Sequence, residues 1–303
     1  MTVVERGNGA VREAIEYHVR PLREREQIRA LLEGRRAYAA YALGQLDPRL
    51  FRYSEWFAAE GAGASALILH SRGGLGNATF ALGEAGAIEA LLRVHPGPRH
   101  TFLTCEVHHV ETVLRYFELE QRQTMIRMHV TPETFRPAAE GIELRRLSGR
   151  DARDINALYR SDGVPSYYTA KQIDDAVYFG VDRGTRLAAI AGTHVISPAG
   201  GIAVVGNVYT HLRHRGQHLA QATTSAVTAQ LLTGCRDIVL SVDPTNAPAV
   251  RAYERLGYSE VARLVEGAAV RRDSTGILTA ARRLAARLRG LAGNTEIVRV
   301  RAA

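Results

Sequence analysis

Two stretches of the chain decide the fold: GIAVVGNVYTHLRHRGQHLA at residues 201–220 and DIVLSVDPTNAPAVRAYERLGY at residues 237–258. The first reads as a strand that passes through a basic turn into a helix over 217–233. The first N–H groups of a helix lack acceptors within it, and the helix dipole favours negative charge there. Arg213 and Arg215 add positive charge close by. The turn therefore predicts a phosphate site, although an Arg-Gly turn alone is a weak motif.

The second stretch predicts a strand over 237–242 and a helix over 246–256. Together, the Arg-Gly turn, helix, strand and Asn-x-x-Ala-x-x-x-Tyr-x-x-x-Gly-Tyr pattern resemble the GNAT superfamily of acyl-CoA N-acyltransferases over residues 141–270. The segments YFGVDRG, LAAIAGTHVIS and VVGNVYTHLRHRG are also similar to the glycine N-acyltransferase subset of that superfamily. The residues that match the superfamily pattern are Tyr209, Thr210, Arg215, Gly216, Ala220, Asn246, Ala249, Tyr253, Gly257 and Tyr258.

The resemblance implies an α/β (α+β) fold with a mixed sheet, and the order of elements suggests two such folds in tandem. Each half of the sequence reads as three strands, helix, strand, helix and strand. In the first half these strands lie at 51–58, 65–70, 77–82, 101–107 and 123–130, after a predicted helical region at 11–45. No phosphate turn follows 77–82. We therefore predict a degenerate GNAT-like domain at 1–135 and a catalytic domain at 141–303, the alternative being an N-terminal α+β domain of another kind.

The tail at 271–303 is basic and amphipathic. Ile277, Ala281, Leu284, Leu288 and Leu291 recur at helical spacing, and arginines lie mostly off that stripe. This pattern predicts a helix packed on the body of the protein or on a partner subunit in a homodimer. Docking to a membrane surface or to nucleic acid is the alternative. A closing strand is predicted at 296–301.

The resemblance also implies roles for individual residues toward acetyl-CoA or another acyl-CoA. Val208, Tyr209 and Thr210 would pair with the pantetheine arm, and Asn246 would contact it. Tyr253 would lie near the thioester sulfur and protonate the leaving thiolate. One departure is His218, where the family usually has Gly. The residues implied to hold the pyrophosphate are Arg215, Gly216, Gln217, His218, Leu219 and Ala220, with Arg213 beside them.

The acceptor in this chemistry is an amine that must lose a proton before it attacks, since an amine of pKa about 10 is protonated at neutral pH. His194, Asp243 and a water chain are the candidate bases. We also predict that Tyr168 and Asn207 border the acceptor pocket, although Tyr168 also suits an aromatic packing cluster. A metal site at His211, His214 and His218 is disfavoured, because the segment crosses a turn.

Composition sets the remaining expectations. The chain has 303 residues, 46% of them hydrophobic, and a net charge of +8, so two ordinary domains are expected. Two separated cysteines suit a reducing cytoplasm. We expect no signal peptide, no membrane span and no nucleic-acid partner. The favoured function is acylation of a small-molecule amine, and the alternatives are acylation of a protein amine and a non-catalytic CoA-binding module.

Overall fold

The structure is a computed structural model that describes residues 2–5, 12–73, 76–272, 284 and 295–301. Its elements up to the middle of the chain are β1 (Thr2–Glu5), β2 (Arg12–Leu22), α1 (Arg25–Glu33), α2 (Ala40–Gly44), α3 (Pro48–Phe51), β3 (Ser54–Gly61), β4 (Ala64–Ser71), β5 (Ala78–Gly83), α4 (Ala85–Val94), β6 (His100–Glu106), α5 (Val110–Leu114), β7 (Phe117–Leu119) and β8 (Gln123–Val130).

The second part of the chain adds β9 (Arg145–Arg146), α6 (Ala152–Ser161), α7 (Ala170–Asp174), β10 (Phe179–Arg183), β11 (Arg186–Ser197), β12 (Ile202–Thr210), α8 (Leu219–Leu232), β13 (Asp237–Val242), α9 (Ala247–Arg255), β14 (Ser259–Arg271) and β15 (Glu296–Arg301). Short 3₁₀ turns lie at Val107–His109, Gly149–Asp151, Pro198–Gly200 and Leu212–His214.

The chain divides into two compact units that are not continuous in sequence. Unit 1 comprises Met1–Gly34, Gln45–Thr124 and Arg263–Ala303, and unit 2 comprises Arg35–Gly44 and Met125–Ala262. The linear division into 1–135 and 141–303 expected from the sequence therefore differs from these units in three segments. Residues 35–44 and 125–135 lie in unit 2, and residues from 263 onward lie in unit 1.

Unit 1 contains a mixed sheet in the order β1-β2-β3-β4-β5-β6-β14. Strands β5 and β6 are parallel and the other neighbours are antiparallel, with β15 also on β2 and β7 also on β14. Helix α4 joins the parallel pair and packs on β3 and β4. The apolar core of unit 1 is built from side chains such as Ile68, Leu91 and Leu103, which are buried completely or nearly so.

Unit 2 contains a second mixed sheet, in the order β9-β10-β11-β12-β13-β8. Here β12 and β13 are the parallel pair, joined by α8, and the remaining neighbours are antiparallel. Helix α8 packs on β11 and β12. One buried cluster, which includes Val205, Val227, Leu240 and Tyr253, lies between the sheet and helices α8 and α9.

The two sheets repeat one topology. In each unit a helix joins two parallel strands, and the second of these pairs antiparallel with one further strand. That further strand comes from the other half of the sequence in both units: β14 in unit 1 and β8 in unit 2. The predicted mixed α/β sheet and its duplication are thus confirmed.

The region predicted as helical at 11–45 is different in the structure. Its first part is strand β2, and helices occupy only α1 and α2. Residues Tyr17 and Val19 are buried while His18 between them is exposed, which is the alternation of a strand. Glu, Arg and Ala are good helix formers, but pairing with β3 and β15 overrides that preference. Pro21 also disfavours a continuing helix.

The tail is described only in part. Strand β15 forms where the sequence predicts it and pairs with β2. The predicted amphipathic helix falls outside the described residues except for Leu284, which is exposed. The described residues contain no helix with the length and apolar character that crossing a bilayer requires.

Gly257 ends helix α9 in the left-handed conformation, with φ of 89°. A Cβ atom at this position would lie 1.9 Å from the carbonyl oxygen of Thr134. Gly163, which follows α6, has φ of 76° but no heavy atom within 4 Å of such a Cβ. The two glycines share a backbone conformation and differ in the space around them.

We expect Gly257→Ala to lower the free energy of unfolding by about 2–4 kcal/mol, because it adds a backbone clash to the left-handed strain. The control, Gly163→Ala, carries the strain alone and should cost about 1 kcal/mol. Urea unfolding followed by far-UV circular dichroism measures both. Equal losses in the two variants would show that the approach of Thr134 does not constrain the end of α9.

Candidate active site

Strands β12 and β13 pair over only part of their lengths. Residues 202–204 pair with residues 237–239, yet β12 continues to Thr210 and β13 to Val242. From Val205 onward, the edge of β12 toward β13 therefore carries backbone N–H and C=O groups that have no ladder partner there. An extended ligand can pair with such an edge in the way that an added strand does.

Strand β12 also carries a β-bulge. Ala191 of β11 stands opposite two residues of β12, Asn207 and Val208. Asn207 has a left-handed backbone with φ of 53°, a conformation that Asn adopts more readily than most residues. The bulge lies within the part of β12 that has separated from β13, so it changes the direction of side chains beside the open edge.

The turn after β12 leads into the N-terminus of α8. A 3₁₀ turn at Leu212–His214 follows the strand, and α8 begins at Leu219. The N–H of Ala222 donates to the carbonyl oxygen of His218 at 3.0 Å, so the N–H groups before it have no acceptor within the helix. Arg213 and Arg215 are exposed. A helix start with basic neighbours thus forms where the sequence predicts a phosphate turn.

Asp162, which follows α6, holds this turn to the end of β12. Its Oδ2 accepts hydrogen bonds from the Tyr209 hydroxyl at 2.7 Å and from the Leu212 N–H at 3.0 Å. The Nε2 atom of His211 lies 3.5 Å from Oδ1. The hydrogen bond from Tyr209 is the main reason that the pKa of Asp162 lies below its usual value. The sequence analysis did not identify Asp162, which lies 50 residues from the turn residue Leu212.

His218 is the N-cap of α8 and has a left-handed backbone with φ of 59°. This conformation favours glycine, which explains why a glycine suits this position. The residue is exposed, and its side chain makes no capping hydrogen bond. The imidazole is therefore not packed into the turn.

Two polar residues shape the start of α9. The Asn246 side chain caps the helix by accepting from the Ala249 N–H at 3.3 Å. Asp243 accepts from the backbone N–H and the hydroxyl of Thr245, at 2.8 Å and 2.7 Å, and these bonds lower its pKa. Asp243, a candidate base in the sequence analysis, is thus an exposed carboxylate engaged in a local turn.

Tyr253 of α9 is 7% exposed and belongs to the cluster that includes Val205, Val242 and the partly buried Val208. Burial raises the pKa of its phenol to about 12. Its hydroxyl forms no hydrogen bond to another described residue. The phenol therefore stays protonated at neutral pH and keeps its proton available for donation near the separated strands.

Residues 149–258 match the sequence profile of the acetyltransferase (GNAT) family. These residues, which all lie in unit 2, are thus similar to the GNAT family. A search of curated proteins finds no significant match. Among solved structures, a GCN5-related N-acetyltransferase from Sphaerobacter thermophilus is similar at 17% identity and a TM-score of 0.53, covering 86% of this chain and 98% of its own.

Two further structures share the fold. A Drosophila protein is 14% identical with a TM-score of 0.58, covering 83% of this chain and 98% of its own. A GCN5-related N-acetyltransferase from Kribbella flavida is 18% identical with a TM-score of 0.50, covering 71% and 89%. The family match supports the enzyme class expected from the sequence, an acyl-CoA-dependent N-acetyltransferase, and the structures show the GNAT fold.

A hydrogen-bonded chain of side chains lies at the bulge in unit 2. The Tyr41 hydroxyl lies 2.6 Å from Nδ1 of His194, and Nε2 of His194 lies 3.0 Å from Oδ1 of Asn207. Nδ2 of Asn207 donates to the Tyr178 hydroxyl at 2.6 Å. Since Oδ1 of Asn207 can only accept, the proton of the neutral imidazole lies on Nε2, and Nδ1 accepts from Tyr41.

His194 is held neutral by its surroundings. Burial is the main cause that lowers its pKa, while the Asn207 hydrogen bond acts in the opposite direction. Both ring nitrogens already have partners, so His194 can take a proton from an amine only if one bond is exchanged, for example through Tyr41. The sequence analysis missed Tyr41 and Tyr178. Tyr41 lies 153 residues from His194, and no motif marks it.

Tyr168 lies in an aromatic cluster of unit 2. Its ring centroid is 5.5 Å from that of Tyr159, and the two rings are tilted. The Tyr178 ring lies edge-on to it, with the centroids 6.3 Å apart. The Tyr209 ring stacks on Tyr159 with centroids 4.3 Å apart. Burial is the main cause that raises the pKa of Tyr168. Through Tyr178 this cluster reaches Asn207, so the two residues predicted to border the acceptor lie in one connected group.

The three histidines of the turn do not converge on a metal geometry. Nδ1 of His211 accepts from the Arg213 N–H at 3.1 Å, and the His211 and His214 ring centroids are 5.6 Å apart. Among the described residues, one group of three His, Cys, Asp or Glu residues has potential metal-ligand atoms that all lie within 4.8 Å of one another. It comprises Glu106, His108 and His109, in unit 1.

We expect His218→Gly to raise the free energy of unfolding by about 1 kcal/mol, because glycine removes the left-handed strain and no packed imidazole is lost. Acetyl-CoA affinity should stay equal or rise. Urea unfolding and calorimetry measure the two quantities. His218→Ala is the control, since it removes the imidazole but keeps the strain. A glycine variant that is less stable than the native chain would show that the imidazole makes a stabilising contact.

Proposed function

We propose that unit 2 transfers an acetyl or other acyl group from acyl-CoA to the primary amine of a small molecule. The observation that carries this proposal is the open backbone edge of β12 leading directly into the N-terminus of α8. An extended pantetheine arm suits the edge at Val208, Tyr209 and Thr210, and a pyrophosphate suits the helix start.

The residues of the turn would bind the phosphates mainly through backbone groups. The N–H groups from Gly216 to Ala220 provide the donors, whereas the Arg215 N–H, which the sequence also suggests, donates to the Leu212 carbonyl oxygen at 3.4 Å. The exposed Arg213 and Arg215 side chains add charge. Asn246 keeps its capping bond and can meet the arm from the start of α9. Because these contacts use backbone groups and solvent-exposed charge, the exposed His218 does not obstruct them.

The reaction needs no covalent intermediate on the protein. The amine nitrogen attacks the thioester carbonyl, the C–N bond forms, and the C–S bond breaks. Backbone N–H groups on the open edge of β12 would stabilise the oxyanion of the tetrahedral intermediate. The amine proton leaves through water or through the Tyr41–His194–Asn207 chain, and the thiolate takes a proton from Tyr253.

Tyr253 suits the donor role because its phenol is protonated throughout the neutral range. Its raised pKa of about 12 means that the proton is present on the oxygen when the thiolate leaves. The buried ring fixes its position.

Unit 1 is proposed as a copy that does not bind CoA. Its strands β5 and β6 also pair over only three residues at each strand. However, α4 begins at Ala85, two residues after β5 ends, and its N-cap is Glu84. An exposed carboxylate at a helix start repels phosphate. In this proposal the N-terminal domain is degenerate because the start of its helix α4 does not suit a phosphate.

The finer assignments rest on the same proposal. The connected group of Tyr168, Tyr178 and Asn207 favours a small acceptor over a protein amine, in keeping with the resemblance to the glycine N-acyltransferase subset.

Cys105 and Cys235 are free and buried, which suits a reducing cytoplasm. A homodimer through the tail stays a prediction.

We expect Tyr253→Phe to lower kcat about 100-fold while acetyl-CoA affinity changes less than about twofold, because only proton donation to the thiolate is lost. The assay measures thiol release from acetyl-CoA in the presence of an amine panel. Tyr258→Phe is the matched control. It also removes a buried phenol hydroxyl, which forms a hydrogen bond of 2.7 Å with the Thr228 hydroxyl and has no proposed part in the reaction.

Unchanged turnover in Tyr253→Phe would remove the proton-donor role. Acetyl-CoA binding without thiol release for any amine would refute the transferase and favour the non-catalytic CoA-binding module.

A further inference from the structure

Arg127 is a fully buried cation on strand β8 of unit 2, with 0% of its surface exposed. It stands opposite Ser241 of β13 in the sheet. Its Nη1 donates to the Ser241 hydroxyl at 2.7 Å. Its Nε and Nη2 atoms are enclosed and have no hydrogen-bond acceptor.

A buried charge without a counter-ion is strongly unfavourable. Within the described residues, no carboxylate forms an ion pair with Arg127. Asp237 of β13 is already engaged by Arg36 at 2.9 Å, His129 at 3.0 Å and Arg236 at 3.2 Å. The Tyr41 ring, 5.2 Å from the guanidinium carbon, gives partial compensation.

The two orphaned donors have a particular geometry. The Nε and Nη2 hydrogens lie on the same edge of the planar guanidinium, as a parallel pair. This edge matches the two oxygens of a carboxylate, which accept both hydrogen bonds at once. The orphaned atoms are thus the pair that a carboxylate satisfies, and a single neutral acceptor would leave the charge uncompensated.

Arg127 also lies beside the separated strands. Ser241 is two residues beyond the last β13 residue that pairs with β12. Tyr41 links Arg127 to His194 and, through it, to Asn207 at the β12 bulge. The cation and the hydrogen-bonded chain are therefore linked, and their partners Ser241 and Asn207 lie on β13 and β12, the two strands that flank the opening.

We propose that Arg127 binds a carboxylate of one of the two reactants, so that the enzyme selects an amine, or an acyl group, that carries a carboxylate. This inference rests on the proposed acyltransferase function and narrows its substrate class. The amine source and the acyl source share one chemistry and are separated by the experiment.

The first experiment measures kcat/KM with acetyl-CoA for each amino acid and for its carboxamide. We expect the native chain to prefer the carboxylate member of the best pair, and Arg127→Met to reduce that activity at least about 30-fold while changing the amide activity less than about threefold. The matched control is Arg122→Met, which removes an exposed arginine near the start of the same strand.

A second arm compares acetyl-CoA with succinyl-CoA on a neutral amine. Selective loss of succinyl transfer in Arg127→Met would assign the carboxylate to the acyl group. Equal losses for charged and neutral reactants in both arms would overturn the proposal.

A binding readout separates this inference from the proposed function. Acetate, succinate and the amino acids are added to the native chain and to Arg127→Met, and the melting temperature is recorded. Carboxylates should raise the Tm of the native chain and leave that of Arg127→Met unchanged. This result does not depend on catalysis, so a failure to acetylate any amine would refute the transferase and not the Arg127 site. Absence of any carboxylate shift in the native chain would overturn the Arg127 site.

If Arg127→Met does not fold, Arg127→Lys takes its place. Lysine keeps the charge but loses the paired donors, so the carboxylate preference should still fall. A lysine variant with undiminished preference would contradict the proposal.

Discussion

The early end of the pairing between β12 and β13 is the constraint on which the site depends. Three residues of each strand pair, and then the strands separate. The bulge at Asn207 lies in the separated part, and the turn to α8 follows directly. A continuous ladder would leave no backbone groups for a ligand. One local departure from regular pairing thus produces the open edge that we propose as the binding site.

The repeat of topology gives this constraint a comparison within one chain. Unit 1 shows the same short parallel pairing, between β5 and β6, but a different connection to its helix. Unit 2 places a turn with Gly216 and a left-handed His218 before α8, whereas unit 1 starts α4 behind Glu84. The two units therefore share the short strand pairing and differ in the turn before the helix, so the turn is the feature that distinguishes them.

The sequence predicts α8, β13 and α9 of unit 2 closely, because β13 is a short apolar run between turns and α9 has the cap Asn246. It fails at β2, where helix-forming residues lie in a strand whose pairing partners β3 and β15 are distant. The turn follows from local pattern, and Tyr253 is expected from the family resemblance. Tyr41, Asp162 and Arg127 are not expected, since their contacts join residues 50 to 153 positions apart.

We propose that one of the two related units binds acyl-CoA. Calorimetric titration of acetyl-CoA into the intact protein tests this, because the stoichiometry counts the sites that bind. We expect one acetyl-CoA per chain, with binding that weakens at higher salt because the phosphates meet a basic helix start. A stoichiometry of two would contradict the assignment of unit 1 as non-binding, and no binding would contradict the site in unit 2.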